Sequence, residues 1–295
     1  MPECDFIVVG AQKSATSWLA DCLQDHPGVE VSVPKEPNFH VRKRLSPTNL
    51  RVVPTLQEYH KCWSHRPGVL RGECSVLYLP LWQESIPSIL ETSGDATKIV
   101  IVLREPTSRA ESAYFHSRKS NPDETLSFPA AVHDRSARQA NTALSPSLDY
   151  VGLSLYAEAV VAFKKNFKNV LILKYDHIRE SPEIVLEELQ AFLGITGKIT
   201  PAPAALVNQG YWRWSALERL TKSPLIMKAR LAFRFRLPTT YATIRRGIFR
   251  RGMTGRTRLS SEEINSADLS LFREDLIELQ QMVPFDISDW LDNVR

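Results

Sequence analysis

Short, continuous apolar runs alternate with amphipathic stretches along most of this chain. Residues 5–10, Val29–Val31, Val69–Ser75, Lys98–Leu103 and Asn169–Tyr175 read as strands. Within most of them polar and apolar positions do not alternate, which is the pattern of strands covered on both faces of a parallel sheet. Lys98-Ile-Val-Ile-Val-Leu103 is the strongest of the five. Between them, residues 14–25, 56–63, Trp82–Glu91, Thr107–Lys119, 126–138 and Leu153–Phe167 read as helices. A further helix starts at Ser181-Pro182 and stops at Gly194, with serine as N-cap and proline in the first turn. A last long helix runs from Ser260-Ser261-Glu-Glu to about Met282, and Phe285–Leu291 packs the tail. Strands alternating with helices predict βαβ units. The expected fold is one P-loop-like α/β domain over residues 1–295, with a central, mostly parallel sheet flanked by helices.

Ligands of such sheets sit off the carboxyl ends of the strands. Three polar clusters fall there: Gly10–Ser17, Glu73–Ser75, and the segment from Arg104 onward. The first follows the run Phe6-Ile-Val-Val-Gly10 as Ala11-Gln-Lys13-Ser14-Ala15-Thr16-Ser17-Trp18. That is strand, turn, helix. Amides at a helix start, reinforced by the helix dipole, favour an anion. Lys13 adds a full charge, and Ser14, Thr16 and Ser17 add donors, so the expected ligand is a phosphate or phosphosulfate.

The second cluster is Arg104-Glu-Pro106-Thr-Ser-Arg109-Ala-Glu-Ser112-Ala-Tyr114. Arg104 leaves the strongest strand at its carboxyl end, and Ser112 lies two helical turns on. An arginine fork and a hydroxyl suit a second phosphate. The first turn is not the G-x-x-x-x-G-K-[ST] loop, and the strongest strand ends in arginine, where a nucleoside-triphosphate hydrolase often has a metal-holding Asp. Two phosphate grips without a metal site suggest a ligand phosphorylated at both ends of a ribose.

Composition narrows the class. The 295 residues are 43% hydrophobic and 24% charged, as in a globular chain. There is no basic start followed by a long apolar run, so no signal peptide is expected, and no stretch suits a bilayer. Cys4, Cys22, Cys62 and Cys74 lack metal-type spacing and read as reduced thiols of a cytoplasmic protein; no metal is expected. The net charge of +4 is uneven, because twelve Lys/Arg and no Asp or Glu lie between Arg219 and Ser261. Such a block implies an anionic partner or a solvated face.

With both clusters in order, the sequence resembles the sulfotransferase superfamily that uses 3′-phosphoadenosine 5′-phosphosulfate (PAPS). Gly10-Ala-Gln-Lys13-Ser-Ala-Thr16-Ser17 resembles its 5′-phosphosulfate loop. Leu103-Arg104-Glu-Pro106 through Ser112-Ala-Tyr114 resembles its 3′-phosphate motif. Lys35-Glu36-Pro-Asn-Phe39-His40 is similar to the segment bearing the catalytic glutamate in the heparan-sulfate-type branch. Met253-Thr-Gly255-Arg256 through Asp289-Trp290 resembles that branch's cofactor loop and C-terminal helix. Where glycan-sulfating relatives often carry lysine after Glu73, this chain has Cys74.

The resemblance implies sulfuryl transfer from PAPS to a hydroxyl or amine of a small-molecule or carbohydrate acceptor, releasing the 3′,5′-bisphosphate (PAP). It places Lys13 at the leaving 5′-phosphate, Thr16 and Ser17 with the turn amides around that phosphate, Arg104 and Ser112 at the 3′-phosphate, and Gly255 with Arg256 over the cofactor. Glu36 is the expected general base, with His40 the second candidate. Two other classes remain open. One is a Mg²⁺-dependent kinase of P-loop type. The other is a non-catalytic protein whose basic block binds an anionic surface. Leu225–Leu237 could lie on a membrane, although such a stripe more often faces a core. No aromatic platform supports nucleic-acid binding. Oligomeric state and acceptor identity are not legible.

Overall fold

A computed structural model describes residues 3–46, 48, 50–121, 123–202 and 258–294. The chain divides into two compact units, Met1–Pro201 with Leu259–Arg295, and Ala202–Arg258. The single domain expected over 1–295 is therefore described here for the first unit. Leu225–Leu237, Gly255, Arg256 and nearly all of the basic block lie outside the described residues.

Five strands, β1 (Phe6–Gly10), β2 (Val29–Val31), β3 (Leu70–Cys74), β4 (Lys98–Leu103) and β5 (Asn169–Lys174), form one sheet in the order β2-β3-β1-β4-β5. Every pairing is parallel. Burial explains the unbroken apolar runs: Phe6–Val9 and Ile99–Leu103 are completely buried. Gly72 is required where β3 pairs with β1, because a Cβ there would lie 1.9 Å from the Phe6 ring.

The strand order matters for function. From β1 the chain moves outward to β2 and returns through β3. It then crosses to the other side of β1 to lay down β4 and β5. The direction of winding reverses between β1 and β4, and in an open parallel sheet a crevice forms at that point, off the carboxyl ends. Gly10 and Leu103 are the last residues of these two strands.

The helices follow the expected order with three local differences. Residues 126–138 form two short helices, Phe128–His133 and Arg135–Ala140, broken at Asp134. Past the break, Arg138 turns inward and forms a fork with buried Glu124 at 2.7 and 3.1 Å. A helix at Tyr175–Glu180, directly after β5, was not legible in the pattern. The last long helix is also two: Ser261–Asn265, with a capping box between Ser260 and Glu263, and Ser270–Gln280. The Asp268 carboxylate takes the Ser270 amide and hydroxyl, a local bond that starts a new helix instead of continuing the old one. The tail packs as expected. Trp290 is buried, with the Lys174 ammonium 5.3 Å above its ring.

Candidate active site at the sheet switch point

β1 ends at Gly10, whose absent side chain admits the neighbouring segment: a Cβ there would stand 2.8 Å from the Leu79 Cβ. The turn that follows is held down at its start by the Ala11 amide on the Val102 carbonyl, 2.8 Å. It then places two non-glycine residues in the left-handed region, Lys13 at φ 70° and Ala15 at φ 62°. Such residues cost about 1–3 kcal/mol each and gather where a backbone is shaped for a ligand. Ala15 precedes the Thr16–Gln24 helix and supplies no side-chain cap, so no side chain on that residue occupies the first-turn amides. Ser14 is completely buried, and its hydroxyl has no hydrogen-bond partner among the described residues. Thr16 and Trp18 are buried, and Ser17 is half-buried.

The helix after β4 is organised differently. Glu105 caps it, taking the Thr107 amide at 2.8 Å and the Ser108 amide at 2.6 Å, with Pro106 at its first position. This helix start is already neutralised and is not an anion site. Arg104 stands immediately before the cap. Its guanidinium donates to the Lys13 carbonyl at 2.9 Å and lies 4.7 Å over the Tyr175 ring. Its own carbonyl accepts the Tyr156 hydroxyl at 3.0 Å. Ser112 is half-buried on the second turn of the Pro106–Ser120 helix. The two sequence motifs thus meet at one place, in the crevice between β1 and β4.

The local field is positive. Lys13 has its pKa lowered to about 8, first by burial, then by the Arg104 and Arg109 charges, while Glu36 opposes the shift. Arg109 is completely buried and pushed down to about 10, again mainly by burial. It donates to Ser154 and to the Tyr150 carbonyl, and its Nη1 has no hydrogen-bond partner among the described residues. Three cations crowded at one strand edge are mutually unfavourable and favour a polyanion.

Glu36 reaches the same region from the β2 side. Its carboxylate is partly exposed and pairs with the Lys35 ammonium at 2.9 Å. Lys35 has a raised pKa: burial works against this, and the charge and hydrogen bond of Glu36 outweigh it. Cys74 is buried at the end of β3, and burial pushes its thiol up to about 12.

His40, the second candidate for the base, is in the core. It is 3% exposed. Its ring nitrogens meet the Ser88 hydroxyl at 2.9 Å and the Tyr59 hydroxyl at 3.2 Å. Burial, with a smaller contribution from Arg42, lowers its pKa to about 3, so the ring is neutral and a poor proton acceptor.

Several residues that build the site carried no signal of their own. Tyr156 and Tyr175 flank Arg104, yet in sequence they read as helix and strand aromatics. Asp275 lies 119 residues beyond Tyr156 and caps the helix that Tyr156 opens, through the Tyr156 and Ala157 amides at 2.8 and 2.9 Å. Only Glu105, three residues before the Ser108 amide it caps, sits in a spacing that a helix-cap search could find.

Comparison with known proteins fits this geometry. Over 206 residues the chain is 27% identical to the mouse heparan sulfate glucosamine 3-O-sulfotransferase 3B1, which spans 66% of this chain and 47% of the mouse protein. It is 23% identical over 214 residues to the mouse bifunctional heparan sulfate N-deacetylase/N-sulfotransferase 3, covering 70% of this chain and 24% of that one. The chain thus spans about half the length of the 3-O-sulfotransferases it matches. A crystal structure of a sulfotransferase from Alicyclobacillus acidocaldarius shares the fold, with a TM-score of 0.68 and 20% identity over 97% of this chain and 98% of that one. Residues 3–207 match the family model described as the sulfotransferase domain. That match spans β1 to β5 and includes both halves of the cationic crevice, and the chain belongs to the sulfotransferase domain family.

Proposed function

We propose that this chain moves the sulfuryl group of PAPS to a hydroxyl or amine of an acceptor and releases PAP. The observation that carries the reading is the Arg104–Lys13 contact, which joins two anion grips at the sheet switch point. The donor set fits a doubly phosphorylated nucleotide. Among the described residues, Ser14 Oγ and Arg109 Nη1 are buried donors without partners, and the helix start at Thr16 has no side-chain cap. A buried polar atom left unpaired is unfavourable, and an anion's oxygens can relieve it.

The chemistry follows from what these residues can do. The Glu36 carboxylate accepts the proton of the acceptor group. The acceptor oxygen or nitrogen forms its bond to sulfur as the bond from sulfur to the 5′-phosphate oxygen breaks. The electron pair of that bond stays on the phosphate oxygen, where Lys13 offsets the growing charge. The turn amides with Thr16 and Ser17 hold the 5′-phosphate, and Arg104 with Ser112 holds the 3′-phosphate. Gly255 and Arg256, outside the described residues, belong to this proposal as the segment that covers the nucleotide. His40 is a weaker choice of base than Glu36 because both its ring nitrogens are engaged in the core. Positioning and charge carry the catalysis, as in phosphoryl transfer. The relatives' names favour a glycan acceptor.

The test is transfer of ³⁵S from labelled PAPS to heparan sulfate or to 4-nitrophenol, in the presence of a metal chelator, together with calorimetric binding of PAP. Label on either acceptor with tight PAP binding supports the reading. Failure to bind PAP, with ATP consumed only when Mg²⁺ is added, overturns it in favour of a kinase.

A further inference from the structure

One buried acidic group is not used in that mechanism. Glu73, at the end of β3, is completely buried among apolar side chains, where a carboxylate is costly unless it is well bonded. Its oxygens accept the Ser75 hydroxyl at 2.6 Å and the Tyr59 hydroxyl. Each of those partners also touches the turn just after Glu36. The Ser75 Oγ accepts the Asn38 amide at 3.3 Å. The Tyr59 hydroxyl meets His40 Nε2 at 3.2 Å, and its ring stacks on Phe39 with centroids 4.4 Å apart. Tyr78, packed edge-on against the His40 ring, accepts the His40 amide at 3.2 Å. Asn38 itself is left-handed, at φ 54°, so the turn needs outside support to hold its shape.

We propose that Glu73 and Ser75 are positioning residues: this buried pair clamps the 38–40 turn and thereby fixes the backbone that aims the Glu36 carboxylate. The inference rests on the proposed role of Glu36 as base. Both side chains are completely buried. Glu73 acts through Ser75 on the Asn38 amide, two residues after Glu36, and through Tyr59 on the His40 ring, four residues after it. The whole assembly is anchored to the sheet, since the Ser75 amide donates to the Val8 carbonyl of β1 at 3.1 Å. The base and the Lys13 turn are therefore referenced to the same strand.

The experiment uses Ser75→Ala, which removes the link and little volume, and Ser75→Thr, which restores the hydroxyl. Hydrogen exchange should speed up in the peptide spanning residues 36–41 of Ser75→Ala and stay unchanged in the peptide spanning 10–19. Turnover of ³⁵S-PAPS with the better of heparan sulfate and 4-nitrophenol should fall by up to about 10²-fold, the size of effect expected for a misplaced group. The KM for PAPS should hold, and Ser75→Thr should recover most of the rate. Unchanged exchange at 36–41, an unaltered kcat, or a KM that rises in step with the loss of rate each overturn the proposal. A wild-type protein that binds PAP but transfers no label to either acceptor defeats the functional reading instead. The exchange measurement then decides by itself whether the clamp exists.

Discussion

The Arg104 guanidinium donates to the Lys13 carbonyl across 2.9 Å, joining two residues 91 positions apart in the chain. The bond fixes the turn after β1 against the turn after β4. A guanidinium is a planar fork of five donors, which suits a phosphate's oxygens. Replacing Arg104 with Lys keeps the charge and removes the fork. Arg104→Lys should weaken PAP binding by about tenfold or more, the scale of one charge-assisted hydrogen bond. Arg104→Ala should weaken it further. Calorimetry on folded variants, checked by an unchanged circular dichroism spectrum, measures both. PAP affinity equal to wild type in Arg104→Ala would show that this arginine is structural only.

Lys13 carries a pH signature. With its pKa lowered to about 8, the free protein loses this charge as pH rises through 8. The ratio kcat/KM reports the free enzyme, so for PAPS it should fall on the alkaline side of about pH 8. Lys13→Arg should push that fall to higher pH, because arginine stays charged. Lys13→Ala should lose about 10²–10³ in kcat, the usual range for one group stabilising developing charge. A pH profile that is flat from 7 to 9.5 in the wild type would remove the lysine from the chemistry.

Glu36 and His40 separate cleanly by substitution. Glu36→Gln should abolish transfer and leave PAP affinity intact, because the role proposed for the carboxylate is to take the acceptor's proton, not to hold a phosphate. His40→Ala should do the reverse of a catalytic lesion. It vacates a buried site and strands the Tyr59 and Ser88 hydroxyls, so a loss of about 2–4 kcal/mol of stability is expected. Residual folded His40→Ala protein should still transfer sulfuryl groups. Denaturant titration and specific activity per folded molecule distinguish the two outcomes.

Two carboxyls, one buried and one half-buried, make stability depend on pH with an unusual sign. Glu73 has its pKa raised to about 7, chiefly by burial and against the bonds from Ser75, Tyr59 and Tyr78. Asp275 is raised to about 6 by burial, against the two amides it caps. A raised carboxyl pKa means the folded state holds the proton more tightly than the unfolded chain does. Below the unfolded value this contribution is fully present, and it is lost as pH rises through the folded value. The window runs from about 4 to 7, and Glu73 accounts for about 3 kcal/mol of it. Stability should therefore fall between pH 5 and 7.5. Glu73→Gln should remove the upper part of that slope and Asp275→Asn the lower part. Urea melts across this range supply the measurement, and a slope that survives both substitutions would assign it to other groups.

Much of the fold was readable because the strands are buried on both faces. Lys98–Leu103 could be placed to the residue, since nothing but a parallel core strand accommodates five consecutive apolar side chains there. The phosphate turn was equally plain: glycine, lysine and hydroxyls sit consecutively between a strand and a helix. What stayed hidden depends on contacts between distant segments. The break at Asp134 is tied to Arg138 reaching back to Glu124, and the Ser266–Leu269 interruption to a local Asp268 bond that periodicity ignores. His40 stood as the second candidate for the base, because a polar residue four positions after Glu36 gives no sign in sequence of whether solvent reaches it.

The sequence by itself determined the strand–turn–helix units, their order, and the identity of the two cationic grips, because each is a property of neighbouring residues. Only the tertiary structure decided that β1 and β4 lie side by side at the point where the winding reverses, which brings Lys13 and Arg104 into contact. It likewise decided that Glu36 is partly open to solvent while His40 and Glu73 are sealed in the core. Strand order and burial are set by how the whole apolar surface is covered, and no local pattern encodes that.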